Sequence, residues 1–240
     1  MHNSAQIDHH LRKKKVQAAI RRSMLVEGEL PYHDFVKQLY SDLDEAIYIL
    51  QKNPELHQNS SEDQLSILLL GNLKISGYDT AHEAKTGGHV DLTVGLGDYT
   101  WIGEAKKDGN YEGGFKQLST RYVTGSGNYA HNHGGLIFYL VTIKNAKLVM
   151  NNWRAKLIEN STVCKDCKNN TLAFYSDHVL ESSGTDFYVR SMAVSLYHQP
   201  QDASGIRTAE NAAAKKTAAK KTAAKKTTAK KTAAKKSSSE

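Results

Sequence analysis

Apolar and polar residues alternate along two short stretches near the middle of the chain. Residues 90–94 carry valine, leucine and valine on one side and Asp91 and Thr93 on the other, and residues 101–106 alternate in the same way. A period of two is typical of a β-strand with one buried face. Residues 95–98 contain two glycines and an aspartate, which favour a turn. The pattern predicts a β-hairpin with Asp91, Glu104 and Lys106 on one face.

This combination of charges is unusual for a purely structural hairpin. Charges on a half-buried strand must be paired or must bind a metal ion. Two carboxylates and a strand carbonyl suit a hard cation such as Mg²⁺. Lys106 shares the face of Glu104 because strand side chains repeat every second residue. The alternative is a surface hairpin with an ordinary Glu–Lys pair.

Helical periodicity governs the first part of the chain. Apolar residues at helical spacing predict helices over residues 5–26 and 32–52, which glycine and proline separate and terminate. In the second helix, Asp42, Asp44 and Glu45 are expected to face solvent. These two helices form either an arm that clamps DNA or joins two chains, or a cap that packs on the core.

A third helix is predicted from Ser61, because Ser61 and Gln64 fit a capping box. Its buried stripe is predicted to contain leucines 65, 68, 69 and 73. Glu62, in its first turn, would complement the helix dipole or join the acids of the hairpin.

The remaining pattern alternates between strands and helices. Strands are predicted over 78–84, 136–141, 172–175 and 187–197, and helices over 115–123 and 146–159. The apolar run 136–141 fits a central buried strand. Loops are expected over 109–114 and 126–133. Gln117 and Arg121 share one helical face, and Arg190 is a candidate phosphate ligand.

Composition limits the possible classes of protein. A chain of 240 residues and 26.6 kDa allows one domain of about 140 to 200 residues with extensions. The longest apolar run, residues 67–70, is too short to span a bilayer, and no secretory signal is apparent, so a cytoplasmic protein is expected. Cys164 and Cys167 give no disulfide framework. With His178 they would supply only three zinc ligands, one short of a structural site, and whether they bind metal stays open.

The spacing of the hairpin charges resembles a known family motif. Asp91 is followed after twelve residues by Glu104-Ala105-Lys106, which is similar to the PD-(D/E)XK nuclease superfamily. The resemblance spans residues 60–142 and continues more weakly to about 200. The order of the upstream helix at 61–65, the Gly-Tyr at 77–78 and the Thr-Gly-Gly at 86–88 is similar to archaeal Holliday junction resolvases. Gln117 lies in a helix like the one that follows the catalytic strand in many members. Val90 replaces the proline of the motif.

The resemblance implies a fold and a set of roles. The fold would be α/β, a restriction endonuclease-like αβββαβ core with a central mixed sheet flanked by helices. One Mg²⁺, or Mn²⁺ in its place, would be held by Asp91, Glu104 and the backbone carbonyl of Ala105, with Glu62 serving a second ion. Lys106 would orient or deprotonate the nucleophile. Gln117 would position the phosphate.

The composition changes abruptly near the C-terminus. Residues 211–240 repeat Lys-Lys-Thr-Ala-Ala and hold ten lysines and one glutamate, a net charge of +9 that leaves −2 for residues 1–210. A five-residue period builds no apolar helical face, so this tail is expected to be disordered when free. It resembles the lysine-rich tails of linker histones and bacterial histone-like proteins. The predicted DNA-binding residues are Lys215, Lys216, Lys220, Lys221, Lys225, Lys226, Lys230, Lys231, Lys235 and Lys236.

Three regions follow from these patterns. They are an N-terminal helical extension (1–58), a nuclease-like domain (59–200) and a linker with the basic tail (201–240). The expected function is Mg²⁺-dependent endonuclease activity on DNA, most simply double-stranded, in restriction, defence or repair, with nucleoid association through the tail. No organic cofactor and no membrane partner are expected.

Alternatives remain at this stage. The nuclease fold could be catalytically silent in a DNA-binding, nucleoid-associated protein. A junction resolvase would require a homodimer, and RNA stays open as a substrate. The tail alone could instead serve solubility or tether the chain to an anionic membrane.

Overall fold

The computed structural model describes residues 13–85, 89–122 and 128–200. Contacts divide the chain into one compact unit, Met1–Tyr197, and a second unit, His198–Glu240. The ten tail lysines and residues 1–12 lie outside the described residues. In the described part, no helix is both long and apolar enough to cross a membrane.

Five α-helices are present in the described residues, and the helical periodicity anticipated most of them. The second helix begins at Tyr32, as predicted, and the third begins after a complete Ser61–Gln64 capping box. Short 3₁₀ turns cover Pro54–His57 and Tyr129–His131, and a π turn covers Leu118–Tyr122. The helices are α1 (Lys14–Val26), α2 (Tyr32–Gln51), α3 (Glu62–Ile75), α4 (Tyr111–Gln117) and α5 (Ala146–Glu159).

A seven-stranded mixed sheet forms the centre of this unit, with the order β1-β4-β5-β6-β9-β8-β7. The first three strands in this order are antiparallel, β5, β6 and β9 run parallel, and β8 and β7 return antiparallel. A separate two-stranded hairpin contains β2 and β3. The strands are β1 (Asp79–Ala81), β2 (Ala84–Lys85), β3 (His89–Val90), β4 (Leu92–Leu96), β5 (Tyr99–Lys107), β6 (His133–Leu140), β7 (Val163–Asp166), β8 (Ala173–Val179) and β9 (Asp186–Ser195).

Helices cover both faces of the sheet. On one face, apolar residues of α2 and α3 pack with Trp101, Ala105 and Tyr139. On the other, α5 packs through Trp153 with Phe138 and its neighbours. Strand β6 lies between two parallel partners and is almost wholly buried, as its continuous apolar run predicts. The expectation of an α/β fold with a mixed sheet flanked by helices is confirmed.

Several local predictions were wrong. The strand predicted over 78–84 is interrupted at residues 82–83, and β7 was not predicted. The loop expected over 109–114 is partly helical, since α4 already begins at Tyr111. Leu68 is exposed although the stripe included it, and Leu70 is buried instead. Leucines on nearly every side of α3 leave the choice of buried face to the neighbouring elements.

An ion pair joins α2 to the sheet. Arg190 in β9 is only 1% exposed and its Nη2 donates to both carboxylate oxygens of Asp44, at 2.9 and 2.7 Å. Its Nη1 donates to the carbonyl of Tyr40. Asp44 is therefore not a solvent-facing acid, and Arg190 is not available to a phosphate. Asp42 is likewise paired, with Arg22.

Candidate active site

The hairpin of β4 and β5 brings Asp91 and Glu104 side by side. Leu92 pairs with Gly103, so one further step of the same antiparallel register sets Asp91 opposite Glu104. The backbone N–H of Ala105 donates to Asp91 Oδ2 at 3.0 Å, which fixes this carboxylate against the strand. The predicted placement of both acids on one edge of the hairpin is thus present.

The ammonium of Lys106 lies between three carboxylates. Its Nζ is 2.5 Å from an oxygen of Glu104, and 3.5 and 3.6 Å from the nearest oxygens of Asp91 and Glu62. Burial by itself would lower the pKa of Lys106, but the bond to Glu104 and the neighbouring acids outweigh it, so the pKa is raised. The lysine is therefore held as a cation. We call these four residues the acid cluster.

Glu104 is the most buried member of the acid cluster, at 1% exposure. Burial raises the pKa of Glu104 to about 7, with the charge of Asp91 adding to the effect and the bond from Lys106 opposing it. Its Oε2 is buried and, among the described residues, has no hydrogen-bond partner. A buried oxygen without a donor costs free energy unless something else binds it.

Glu62 reaches the acid cluster from a different layer of the fold. It is the first residue of α3, and its Oε2 accepts a hydrogen bond from the backbone N–H of Lys107 at 2.5 Å. The other oxygen, Oε1, faces the ammonium of Lys106. The sequence assigned Glu62 only tentatively, and the structure brings it beside the other two acids.

Helix α4 covers Lys106. The backbone of Gly114 approaches the lysine stem so closely that a Cβ there would lie 2.8 Å from Lys106 Cγ. Gln117 follows one turn later and ends the helix, half-buried. Among the described residues, no hydrogen bond joins Gln117 to the acid cluster, so its phosphate-positioning role stays a prediction. The ligand role of the Ala105 carbonyl also stays a prediction.

The donor set of the acid cluster suits a hard divalent cation. All candidate ligands are oxygens, which Mg²⁺ and Mn²⁺ prefer, and the unpartnered Oε2 of Glu104 is a ligand in waiting. However, the described residues contain no group of three or more His, Cys, Asp or Glu side chains already arranged to hold a metal ion. The ammonium of Lys106 lies among the carboxylates in the place of such a cation.

The zinc interpretation gains no support from the fold. Cys167 is buried, and its sulfur accepts from Arg190 Nη2 at 3.5 Å. Cys164 packs in the core cluster that contains α5, and the ring of His178 contacts that of Phe115. Both cysteines are free thiols, and the described residues offer no zinc ligand set.

Two residues near the site were not predicted. Lys107 bonds Glu62 through its backbone and the carbonyl of Ser60 through its Nζ, at 2.6 Å. Tyr139 lies beneath the cluster with its hydroxyl 3.3 Å from Ser66 Oγ. Only the position of Lys107 directly after the motif lysine gave a signal in the sequence.

Comparison with protein-family models, with curated proteins and with solved structures finds no match to this chain. The resemblance to the nuclease superfamily therefore depends on the motif residues themselves.

The raised pKa of Glu104 predicts a measurable effect of pH on stability. Between pH 4.5 and 7 the unfolded chain has released the proton of Glu104 while the folded chain retains it, so unfolding becomes easier as the pH rises. A rise from 4.5 to about 7 corresponds to about 3 kcal/mol. The Glu104→Gln variant cannot titrate there. We therefore expect its stability relative to the parent to increase by that amount across this interval in urea unfolding. A difference that stays constant with pH would contradict the burial argument.

Proposed function

We propose that the chain is a Mg²⁺-dependent endodeoxyribonuclease of the PD-(D/E)XK type. One observation carries the proposal: Asp91, Glu104 and Glu62, from two neighbouring strands and a helix, converge on the ammonium of Lys106. Acids that have no structural need for one another are brought together at the edge of the sheet. Phosphodiester hydrolysis requires such a combination of cation-binding oxygens and a positive charge.

The order of elements supports the finer fold assignment. Helix α3 precedes three antiparallel strands of the main sheet (β1, β4 and β5), and helix α4 then connects to the parallel strand β6. This is the αβββαβ order that a restriction endonuclease-like core requires. The acids lie on the second and third of those strands and on the first helix, as the sequence resemblance implies.

Each residue has a role that follows from its position. Asp91, Glu104 and Glu62 would hold the metal, with the carbonyl of Ala105 as a further oxygen. Bound Mg²⁺ would supply Lewis-acid stabilisation of the phosphate and lower the pKa of an attacking water. Lys106, kept cationic by the acids, neutralises charge that develops on the phosphate or orients the nucleophile. Gln117, on the helix that covers Lys106, is placed to contact the phosphate backbone.

The tail would supply affinity. Residues 1–210 carry a net charge of −2 while residues 211–240 carry +9, so the folded part alone would be attracted only weakly to DNA. A tethered polycation binds any nucleic acid through counterion release. It would thereby raise the local concentration of DNA at the acid cluster.

A specific observation favours the second candidate, a silent DNA-binding protein. Lys106 already neutralises part of the acid charge, and no three-ligand metal group is preformed among the described residues. In that case the acid cluster would be a structural ion-pair network, and the tail would be the functional part. Both candidates bind DNA, so only cleavage distinguishes them.

Deletion of residues 206–240 tests the division of labour. The cut falls beyond the compact unit, which ends at Tyr197. We expect the slope of log K against log salt to become shallower by several, up to about 9 if all ten lysines contact phosphate. Cleavage of linear DNA in Mg²⁺ should persist at high enzyme concentration. Filter binding across a salt series and a gel assay measure the two effects.

The outcomes separate the candidates. Weaker binding with persistent cleavage supports the nuclease. Absence of cleavage in both the full chain and the truncated chain, with Mg²⁺ or Mn²⁺, supports the silent protein. An unchanged salt slope would contradict the role given to the tail.

A further inference from the structure

Lys107 connects two layers of the fold beside the acid cluster. It is the last residue of β5 and directly follows Lys106. Its backbone N–H donates to Glu62 Oε2 at 2.5 Å, and its Nζ donates to the carbonyl of Ser60 at 2.6 Å. One residue thus binds the α3 terminus on both sides of Ser61.

The Nζ bond to Ser60 is unusual for a lysine at the end of a strand. Lys107 is half-buried and, within the described ranges, forms no ion pair with a carboxylate. Immobilising a long charged side chain on a neutral carbonyl costs conformational entropy. Such a contact indicates that the position of the Ser60–Glu62 segment matters.

Strand geometry explains why this segment needs an anchor. Side chains alternate along β5, so Lys106 and Lys107 point to opposite faces. Glu104 and Lys106 belong to the face that α4 covers, whereas α3 packs on the other face with Ala105. Glu62 must therefore reach around the end of the strand to come within 3.6 Å of Lys106. Without an anchor at Ser60, the first turn of α3 can move outward and take Glu62 with it.

We propose that Lys107 is a positioning residue that holds Glu62 in the acid cluster for divalent-cation binding. The inference depends on the proposed divalent-ion site but not on DNA cleavage. Lys107 acts through the carbonyl of Ser60 and through its own backbone, and touches neither the ion nor the substrate. Loss of a group that orients a metal ligand typically weakens metal affinity by about 10- to 100-fold.

The test is a double-mutant cycle on the full-length chain without DNA. Mn²⁺ binding is measured by calorimetry for Lys107→Met, Glu62→Gln, the double variant and the parent. Lys107→Met removes the bond to Ser60 but keeps the backbone N–H. We expect each single variant to bind Mn²⁺ about tenfold more weakly, and the double variant to bind no more weakly than Glu62→Gln alone.

Matched variants keep the test specific. Lys74→Met, an exposed lysine in the last turn of the same helix, should bind Mn²⁺ like the parent. Lys107→Arg, which can still donate to Ser60, should restore most of the affinity. If Lys107→Met fails to fold by circular dichroism, Lys107→Gln takes its place in the cycle.

The outcomes are distinct. An additive loss in the double variant, or no loss in Lys107→Met, overturns the positioning role. A non-additive cycle in a protein that never cuts DNA supports the positioning role while the nuclease proposal fails. A parent chain that binds no Mn²⁺ overturns both.

Discussion

Replacing Lys106 with methionine should abolish most DNA cleavage and at the same time strengthen binding of divalent cations. Methionine preserves the apolar stem against Gly114 and removes the ammonium that three carboxylates share. A group that stabilises charge or transfers a proton at the reacting centre contributes about 10²- to 10⁴-fold to the rate. We expect a loss of cleavage in that range, measured in single-turnover assays with saturating Mg²⁺.

The gain in metal affinity has an electrostatic origin. Lys106 neutralises the acids, so a metal ion must compete with the ammonium for their oxygens. A unit charge at 4 Å is worth about 4 kcal/mol at an effective dielectric constant of 20, and partial exposure of Asp91 and Glu62 reduces this. Mn²⁺ affinity should therefore rise by at least about tenfold at pH 8.

A matched control is Lys116→Met on α4, an exposed lysine away from the acids. It should change neither the cleavage rate nor the Mn²⁺ affinity of the folded protein. If Lys106→Met binds Mn²⁺ no better than the parent, the ammonium does not occupy the place of the cation.

Replacing Asp44 with alanine should destabilise the protein by about 3 kcal/mol, the lower part of the range for a broken buried ion pair. Arg190 is 1% exposed and would retain its charge without the carboxylate that accepts both hydrogen bonds. The 27% exposure of Asp44 lets water compensate in part, which is why the lower part of the range applies. Urea unfolding measures the change.

Two further variants isolate the ion pair. Glu45→Ala, an exposed acid next along α2, should alter stability by no more than about 0.5 kcal/mol. Arg190→Met in the Asp44→Ala background should recover stability, because a buried pair is often replaced by apolar residues at little cost. If Asp44→Ala is as stable as the parent, Asp44 does not anchor α2 to the sheet.

The ion pair also shows where periodicity carries no information. Strand β9 is buried on both faces, with Val189, Arg190 and Ser191 in succession, so no alternation marks which face an arginine takes. Asp44 lies beside the apolar stripe of α2, where the sequence alone indicates a solvent-facing acid. Their pairing depends on a contact between residues 146 positions apart, which local patterns do not encode.

Elements with a strong local signal were predicted well. The helix at Ala146–Glu159 and the capping box at Ser61 appear where the sequence indicates them, because helical spacing and capping depend on neighbouring residues. The hairpin that carries Asp91 and Glu104 also forms as expected, since the alternation and the turn residues agree.

Helix α4 and Lys107 illustrate the opposite case. Two glycines, Gly113 and Gly114, disfavour a helix, yet the close approach to Lys106 permits no larger residue at Gly114. The role of Lys107 depends on the end of α3 lying beside the end of β5, a tertiary arrangement that no spacing in the sequence reveals. The acids could be named from the motif, but the residues that position them could not.

The central claim is that Asp91, Glu104 and Lys106 cleave DNA with a divalent ion. The most direct test incubates supercoiled plasmid with the full chain and with Asp91→Asn, in Mg²⁺ and in chelator, at equal DNA occupancy measured by filter binding. We predict nicked and linear products only for the parent chain in Mg²⁺, with both proteins binding the plasmid alike. Equal cleavage by Asp91→Asn, or none by the parent in either Mg²⁺ or Mn²⁺, would contradict the claim.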